Sequence, residues 1–324
     1  MNLLARLVPP LVASLALIGG AQAQTFPSGP VRIIVPLAAG GIADVAARAL
    51  VDRLGPMWGQ PITIENRTGA GTNLGAEAVA RSTPDGHTLM VTTEGTVVVN
   101  PFLYTKLNYD PLKDLAPVSG VGIVHQMLIA HPSLPVKSVG ELVALAKRDP
   151  GAISYGSFGI GTSGHLNMET LMAQAGIKLT PVHYRGAAPA LTDVIGGHVK
   201  LCIISITLSQ GPIRAGQVNA LGVGSDKRVA SFPNVPTISE SGVPGYQAVT
   251  WIGVFAPSAT PGAAVEKING DVQRVLATAD FKAKFLDPQQ LEPISGDAKA
   301  FAAFIKSEAE SWSKVIKAAG IKMD

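Results

Sequence analysis

Two long apolar, strand-like stretches, Val118 to Ala130 and Ala248 to Ala256, constrain this chain more than any other feature. Both read as extended strands, longer than the strands around them. Between them lies a run of alternating short strands and helices, and a similar run lies outside them. A chain arranged this way builds one α/β domain from both of its ends, inserts a second between them, and joins the two by a pair of connecting strands. The boundaries fall at residues 24–123 plus 248–324 for the first domain and 124–247 for the second.

Local patterns fill in this outline. In the first unit, Val31-Arg32-Ile33-Ile34-Val35 is a β-branched strand stopped by Pro36, and a helix follows from about Ile42 to Leu54, with Gly55-Pro56 as its stop signal. Ile62 to Glu65 is a second strand and Asn73 to Arg81 a second helix; Pro84-Asp85-Gly86 then turns into a strand from His87 to Thr93. The order βαβαβ implies a parallel sheet covered on both faces. In the middle unit, Ser138 and Glu141 have capping-box spacing, and Ile153 to Ser157 leads through a glycine-rich loop into a helix from Ser163 to Ala175. Further strands are expected near 180–184, 200–204 and 219–223. Thr260-Pro261 reads as a helix cap followed by an N1 proline, and an amphipathic helix over about 298–319 ends at Gly320.

The first 23 residues read as an export signal, with Arg6 before an apolar run from Leu11 to Ile18 and the small-residue pattern Ala21-Gln22-Ala23. Cleavage is expected near Ala23/Gln24, giving a mature, periplasmic chain with no membrane insertion. The single cysteine, Cys202, leaves no site for a lipid anchor at the mature N-terminus and no intramolecular disulfide. Lys and Arg number 26 against 23 Asp and Glu, with Arg6 among the residues removed, so the chain carries no electrostatic footprint for nucleic acid. The six histidines are scattered without metal-ligand spacing, so neither metal nor cofactor is expected.

The chemistry concentrates in two loops. Each unit has a strand, a loop of small residues and then a helix: Leu37-Ala38-Ala39-Gly40-Gly41 in the first, and Gly156 to Gly164 in the second. In parallel sheets such loops sit at the carboxyl ends of the strands, where ligands bind. The helix behind each presents unpaired N–H groups and a partial positive charge, and two of these facing across a cleft would hold an anion without any arginine. Thr92, Thr93 and Glu94, and Tyr184 with Arg185, are further polar candidates after their strands, positions that also serve as ordinary loop surface. Two enzyme readings fail. Gly159-Ile160-Gly161-Thr162-Ser163-Gly164 matches a dinucleotide fingerprint, but the next strand ends in Arg185-Gly186 with no acidic residue for a ribose. Ser163 lacks the second glycine of a nucleophile elbow, and His165 fits a polar lip or ligand contact better than a base.

The ordered set of motifs resembles the receptors of tripartite tricarboxylate transporters, the Bug or TctC family. The resemblance runs from Val31 to Pro36 with Ala39-Gly40-Gly41 and Asp44, through Glu65-Asn66-Arg67 and Pro84 to Leu89, to Tyr184-Arg185-Gly186, Pro233 to Thr237 and Trp251. It implies a type II periplasmic-binding-protein fold, no enzymatic activity, and a small organic acid ligand passed to the membrane subunits of a transporter. It also implies ligand contacts, direct or through ordered water, from Ala38, Ala39, Gly40, Gly41 and Asp44, with Asp44 better suited to organising its loop, and hydroxyl contacts from Thr92 and Thr93. On the second side it implies a carboxylate grip by Ser157, Gly161, Thr162, Ser163 and His165. Glu94 and the pair Ser205-Ile206 depart from the family pattern, Glu94 standing where a small neutral residue is expected. Presentation of ligand to a membrane sensor is the alternative role for the same architecture.

Overall fold

The computed structural model describes residues 26–323; the segment read as an export signal lies outside them. The first lobe opens with β1 (Val31–Val35), α1 (Ile42–Trp58), β2 (Ile62–Asn66), α2 (Asn73–Ala80) and β3 (Thr88–Thr93), followed by the short helices α3 (Asn100–Leu103) and α4 (Pro111–Asp114). A 16-residue strand, β4 (Leu115–Ala130), leads into the second lobe. There the chain forms α5 (Val139–Arg148), β5 (Ser154–Ser157), α6 (Ser163–Ala175), β6 (Thr180–His183), α7 (Ala187–Ile195), β7 (Leu201–Ser205), α8 (Ile206–Arg214) and β8 (Asn219–Val223). It returns with β9 (Val249–Pro257), α9 (Gly262–Leu276), the short helices α10 (Ala279–Phe281) and α11 (Asp287–Gln289), β10 (Leu291–Pro293) and α12 (Ala298–Ala319).

All the strands belong to one sheet path, β2-β1-β3-β9-β4-β7-β5-β6, with β8 and β10 also paired to β4. β4 is the spine. Its first part lies between β9 and β10, and its last residues, Gln126 to Ala130, lie between β7 and β8. β9 stays in the first lobe and begins where His125 faces Val249, so of the two expected connecting strands only β4 extends through both lobes. The return crossing is pinned by backbone bonds from Gly224 N–H to Gln126 O at 2.8 Å and from Ala248 N–H to Gly224 O at 2.8 Å. Between the crossings, the Gln126 side-chain amide donates to Thr250 Oγ1 at 3.0 Å.

Each lobe is a three-layer sandwich because its strands are apolar on both faces. In the first lobe, α1 and α9 cover one face through Ala46, Leu50, Leu54, Ile268 and Val272. The other face meets α2 and α12 through Val79, Phe301, Ile305 and Trp312, and Leu166 of α6 joins that same cluster across the cleft. In the second lobe, α5 and α6 pack on one face and α7 and α8 on the other.

Two helix boundaries differ from the sequence reading. The stop expected at Gly55-Pro56 does not act: α1 continues to Trp58, and Gly59 caps it with φ 61°. Proline within a helix costs about 3 kcal/mol. Trp58 is buried, and its indole donates to Asp271 at 2.6 Å. That burial and a hydrogen bond to a charged group contribute about 1.5–3 kcal/mol each, enough to carry the last turn past the proline. At α9 the N-cap is Pro261 itself, and the Thr260 hydroxyl makes no cap bond.

Candidate functional site

Both glycine loops sit at the carboxyl ends of their strands, β1 and β5, and open onto the gap between the lobes. A cavity of about 540 Å³ lies there, bordered by Ala38, Gly41, Thr93 and Glu94 from the first lobe and by Gly161, Thr162 and Ser163 from the second. A neighbouring space of about 460 Å³ shares Gly41, Ile42, Phe158, Ser163, Ala187 and Thr250 with it and reaches Gly40, Gln126 and Ser205. The two are compartments of one cleft.

The first loop is braced from behind. Gly40 takes φ +79°, in the left-handed region that favours glycine, and its N–H donates to Asp44 Oδ2 at 2.8 Å. Asp44 is 2% exposed, and Arg48 Nε and Asn66 Nδ2 each donate to it at 2.9 Å. The Arg48 hydrogen bonds are the largest cause holding the Asp44 carboxyl down at about 2; Gly40 and Asn66 act in the same direction against burial. Asn66 also donates to Leu37 O at 3.1 Å, so strand β2 ties down the start of the loop. With Gly41 N–H directed to Ala38 O, the N–H groups of Ile42, Ala43 and Asp44 are left without an acceptor among the described residues.

The second loop repeats the device with a different side chain. Gly161 takes φ +77°, and its N–H donates to Nδ1 of His165, four residues on, at 3.1 Å. His165 is therefore in the Nε2–H tautomer, with Nε2 3.5 Å from Glu169 Oε1. Tyr155 donates to the same carboxylate at 3.1 Å. Contact with His165 is the largest cause pulling the Glu169 carboxyl below the usual range, against the effect of burial. His183 stacks edge-on to His165 at 5.1 Å and lies 2.9 Å from Ser157 Oγ, and burial first, then His165, pushes its imidazole down. Thr162 Oγ1 is turned onto Gly159 O at 2.7 Å. The N–H groups of Ser163 and Gly164, and the Ser163 hydroxyl, have no partner among the described residues.

Several residues expected at the site thus stand behind it. Asp44, Ser157 and His165 border neither compartment and act on the loops from the rear. Thr92 is fully buried with its hydroxyl 2.6 Å from Thr96, because strand alternation sends it inward while Thr93 borders the cleft. Ala39 and Arg185 are exposed and border neither space. The amides of Gly40 and Gly161, expected to face an anion, are consumed by Asp44 and His165; the free donors lie two to four residues further on, in the first turns of α1 and α6.

Much of the cleft came with no sequence signal. Leu103, Phe158, Ile160, Leu166, Trp312 and Met323 supply an apolar wall. The C-terminal tail folds under α3, Met323 N–H donating to Leu103 O at 2.9 Å. Thr72, with φ +83°, borders the cleft in a conformation rare for a branched residue, and Asn100 holds that turn by donating to Gly71 O at 2.8 Å. Glu94 is 4% exposed. Its Oε1 accepts from Thr250 Oγ1 at 3.2 Å and its Oε2 has no partner; burial above all pushes the carboxyl up to about 8.

The family model for the tripartite tricarboxylate transporter family receptor matches residues 46–321. The chain belongs to that receptor family. Its relatives include a Pseudomonas sp. (strain P51) protein from the tcbD-tcbE intergenic region, 36% identical over 294 residues, covering 90% of this chain and 87% of the relative. Among solved structures, R. palustris Rpa4515 with adipate superposes at a TM-score of 0.80 with 35% identity, covering 92% of this chain and 99% of that one. MatC from Rhodopseudomonas palustris with bound malate gives 0.77 and 32%, covering 90% and 100%. The fold is accordingly that of the family, shared with the periplasmic binding protein BugD, with two α/β lobes and the cleft between them. Tripartite tricarboxylate receptors are solute-binding proteins, and no helix among the described residues is long and apolar enough to cross a membrane.

Proposed function

We propose that this protein captures a small organic carboxylate in the periplasm and delivers it to the membrane subunits of a tripartite transporter. The observation that carries the reading is the convergence of two helix N-termini, α1 and α6, on one cleft from opposite lobes. Each keeps free N–H donors, at Ile42 to Asp44 and at Ser163-Gly164. An anion at a helix N-terminus gains about 0.3–1 kcal/mol, and up to about 2 kcal/mol where partly buried. Two such ends closing on the same carboxylate add charge-assisted hydrogen bonds from both sides, so the anion binds the closed form better than the open one.

The lobes follow residues 24–123 with 248–324 and residues 124–247, and the crossings near Gln126 and Thr250 are the hinge. Ala38, Gly41, Thr93, Gly161, Thr162 and Ser163 line the ligand, while Asp44, Ser157 and His165 hold the loops that grip it. Adipate and malate in the structural relatives support a carboxylate as cargo. Capture without turnover is supported by the buried hydroxyl of Ser157: although it touches His183, it is fully enclosed and bonded to Gly159 O at 3.2 Å. The export-type N-terminal segment supports the location.

Calorimetry on residues 24–324 with a panel of mono- and dicarboxylates tests the proposal. At least one organic acid binds, and its methyl ester does not. Binding only of sugars or metal ions would remove the carboxylate reading.

A further inference from the structure

Resting on the carboxylate-receptor reading, we infer that the cleft is built for a monocarboxylate with an apolar body, and that Glu94 discriminates against a second negative charge on the ligand. Among the described residues, neither compartment is lined by lysine, arginine or histidine. The two helix N-termini meet near Gly41 and Ser163, which border both compartments, so they serve a single carboxylate. Beyond that point the wall is Leu103, Phe158, Ile160, Leu166, Trp312 and Met323. This surface favours a hydrocarbon body and leaves a second carboxylate without a counter-charge, a costly position inside a protein.

Glu94 sharpens the discrimination. It is the one carboxyl among the described residues bordering the cleft, placed beside Thr250 where the two compartments meet. The hydrogen bonds around it run one way: Gln126 donates to Thr250, Thr250 donates to Glu94 Oε1, and both Glu94 Oε2 and Gln126 Oε1 are left unpaired. The charged neighbour that faces it is another carboxyl, Glu308 of α12, which accepts from the Trp251 indole at 3.0 Å and is itself held above its ordinary range by burial. No cation among the described residues relieves either group. Glu94 is neutral below about 8 and ionised above it, so a dicarboxylate meets a carboxylic acid at neutral pH and a carboxylate at alkaline pH. Tyr104, the other ionisable group in the wall, has its hydroxyl pushed above its ordinary value by burial and stays neutral over the same range.

The test is a matched pair, hexanoate against adipate, titrated into residues 24–324 at pH 7 and pH 9.5, with benzoate against terephthalate as a second pair. The monocarboxylates bind at least about 10-fold more tightly at pH 7, and the gap widens by a further factor of about 10 at pH 9.5. In Glu94→Gln the ratio of the paired affinities no longer changes with pH. A dicarboxylate that binds as tightly as its partner at both pH values overturns the inference while leaving the receptor reading intact. So does a pH-dependent ratio that persists in Glu94→Gln. Should that variant not fold, the wild-type ratios at the two pH values decide alone. Absence of binding by all four acids, with binding of a neutral solute, overturns the receptor reading and the selectivity together.

Discussion

The two gripping loops share one geometry and differ in what holds it. In both, a glycine at nearly the same backbone angle, φ +79° for Gly40 and +77° for Gly161, donates its N–H to the side chain four residues later. In the first lobe that side chain is a carboxylate, gripped by Arg48 and Asn66. In the second it is an imidazole, set between Glu169 and His183. The same bracing is therefore a carboxylate anchored by a guanidinium on one side and an imidazole on the other. Asp44 keeps its charge to well below neutral pH, so its contribution to stability is lost only as pH falls from about 4 towards 2. The second loop yields earlier. His183 is held below its ordinary value, so neutral imidazole is the form the fold favours, and stability is lost as pH falls below the ordinary histidine range.

This difference can be broken from either side. The largest effect is expected from Gly161→Val. A Cβ at this position would stand 2.4 Å from Leu103 Cδ2 in the opposite lobe, and the backbone angle disfavours any side chain. Affinity in calorimetry should fall more than about 100-fold, while the protein still unfolds cooperatively, because the strain is confined to one half-buried turn at the edge of the cleft. Asp44→Ala comes next. Removing hydrogen bonds to a charged acceptor costs about 1.5–3 kcal/mol, so urea unfolding should show that loss, with affinity down about 30-fold at every pH from 5 to 8. His165→Phe should lower affinity about 10-fold at pH 7.5, because the Gly161 N–H loses the acceptor that holds the second loop. The smallest effect is expected for Ser163→Ala, about 3- to 10-fold, corresponding to one lost hydrogen bond from a free hydroxyl.

How much of this was legible in the sequence follows from what each feature depends on. Strands and helices governed by local pattern stand out: the β-branched run of β1, the Ser138 cap of α5, which accepts from Glu141 N–H at 3.2 Å, and the terminal helix closed by Gly320. The end of α1 was hidden because Trp58 is held by Asp271, more than 200 residues away, and no local rule weighs that against Pro56. At the site, the glycines marked the loops because the left-handed backbone angles needed there admit few other residues. For Asp44 the place near the helix start pointed to a loop-organising part, whereas His165 was read as a ligand contact because only the fold shows which way it points. Thr92 and Thr93 were separable by strand alternation alone. The apolar wall needed the tail at Met323 to meet α3, a contact that spacing along the chain does not encode.

The most direct test of the central claim is the backbone amide spectrum of 15N-labelled residues 24–324, recorded as a saturating monocarboxylate is added. The predicted result is a strong downfield shift of the Ile42, Ala43, Ser163 and Gly164 amide protons. Gly40 and Gly161, already hydrogen-bonded, should move little, and the methyl ester should shift none of the six. Shifts confined to one lobe, or centred on Gly40 and Gly161 in place of the helix ends, would contradict a carboxylate held between the N-termini of α1 and α6.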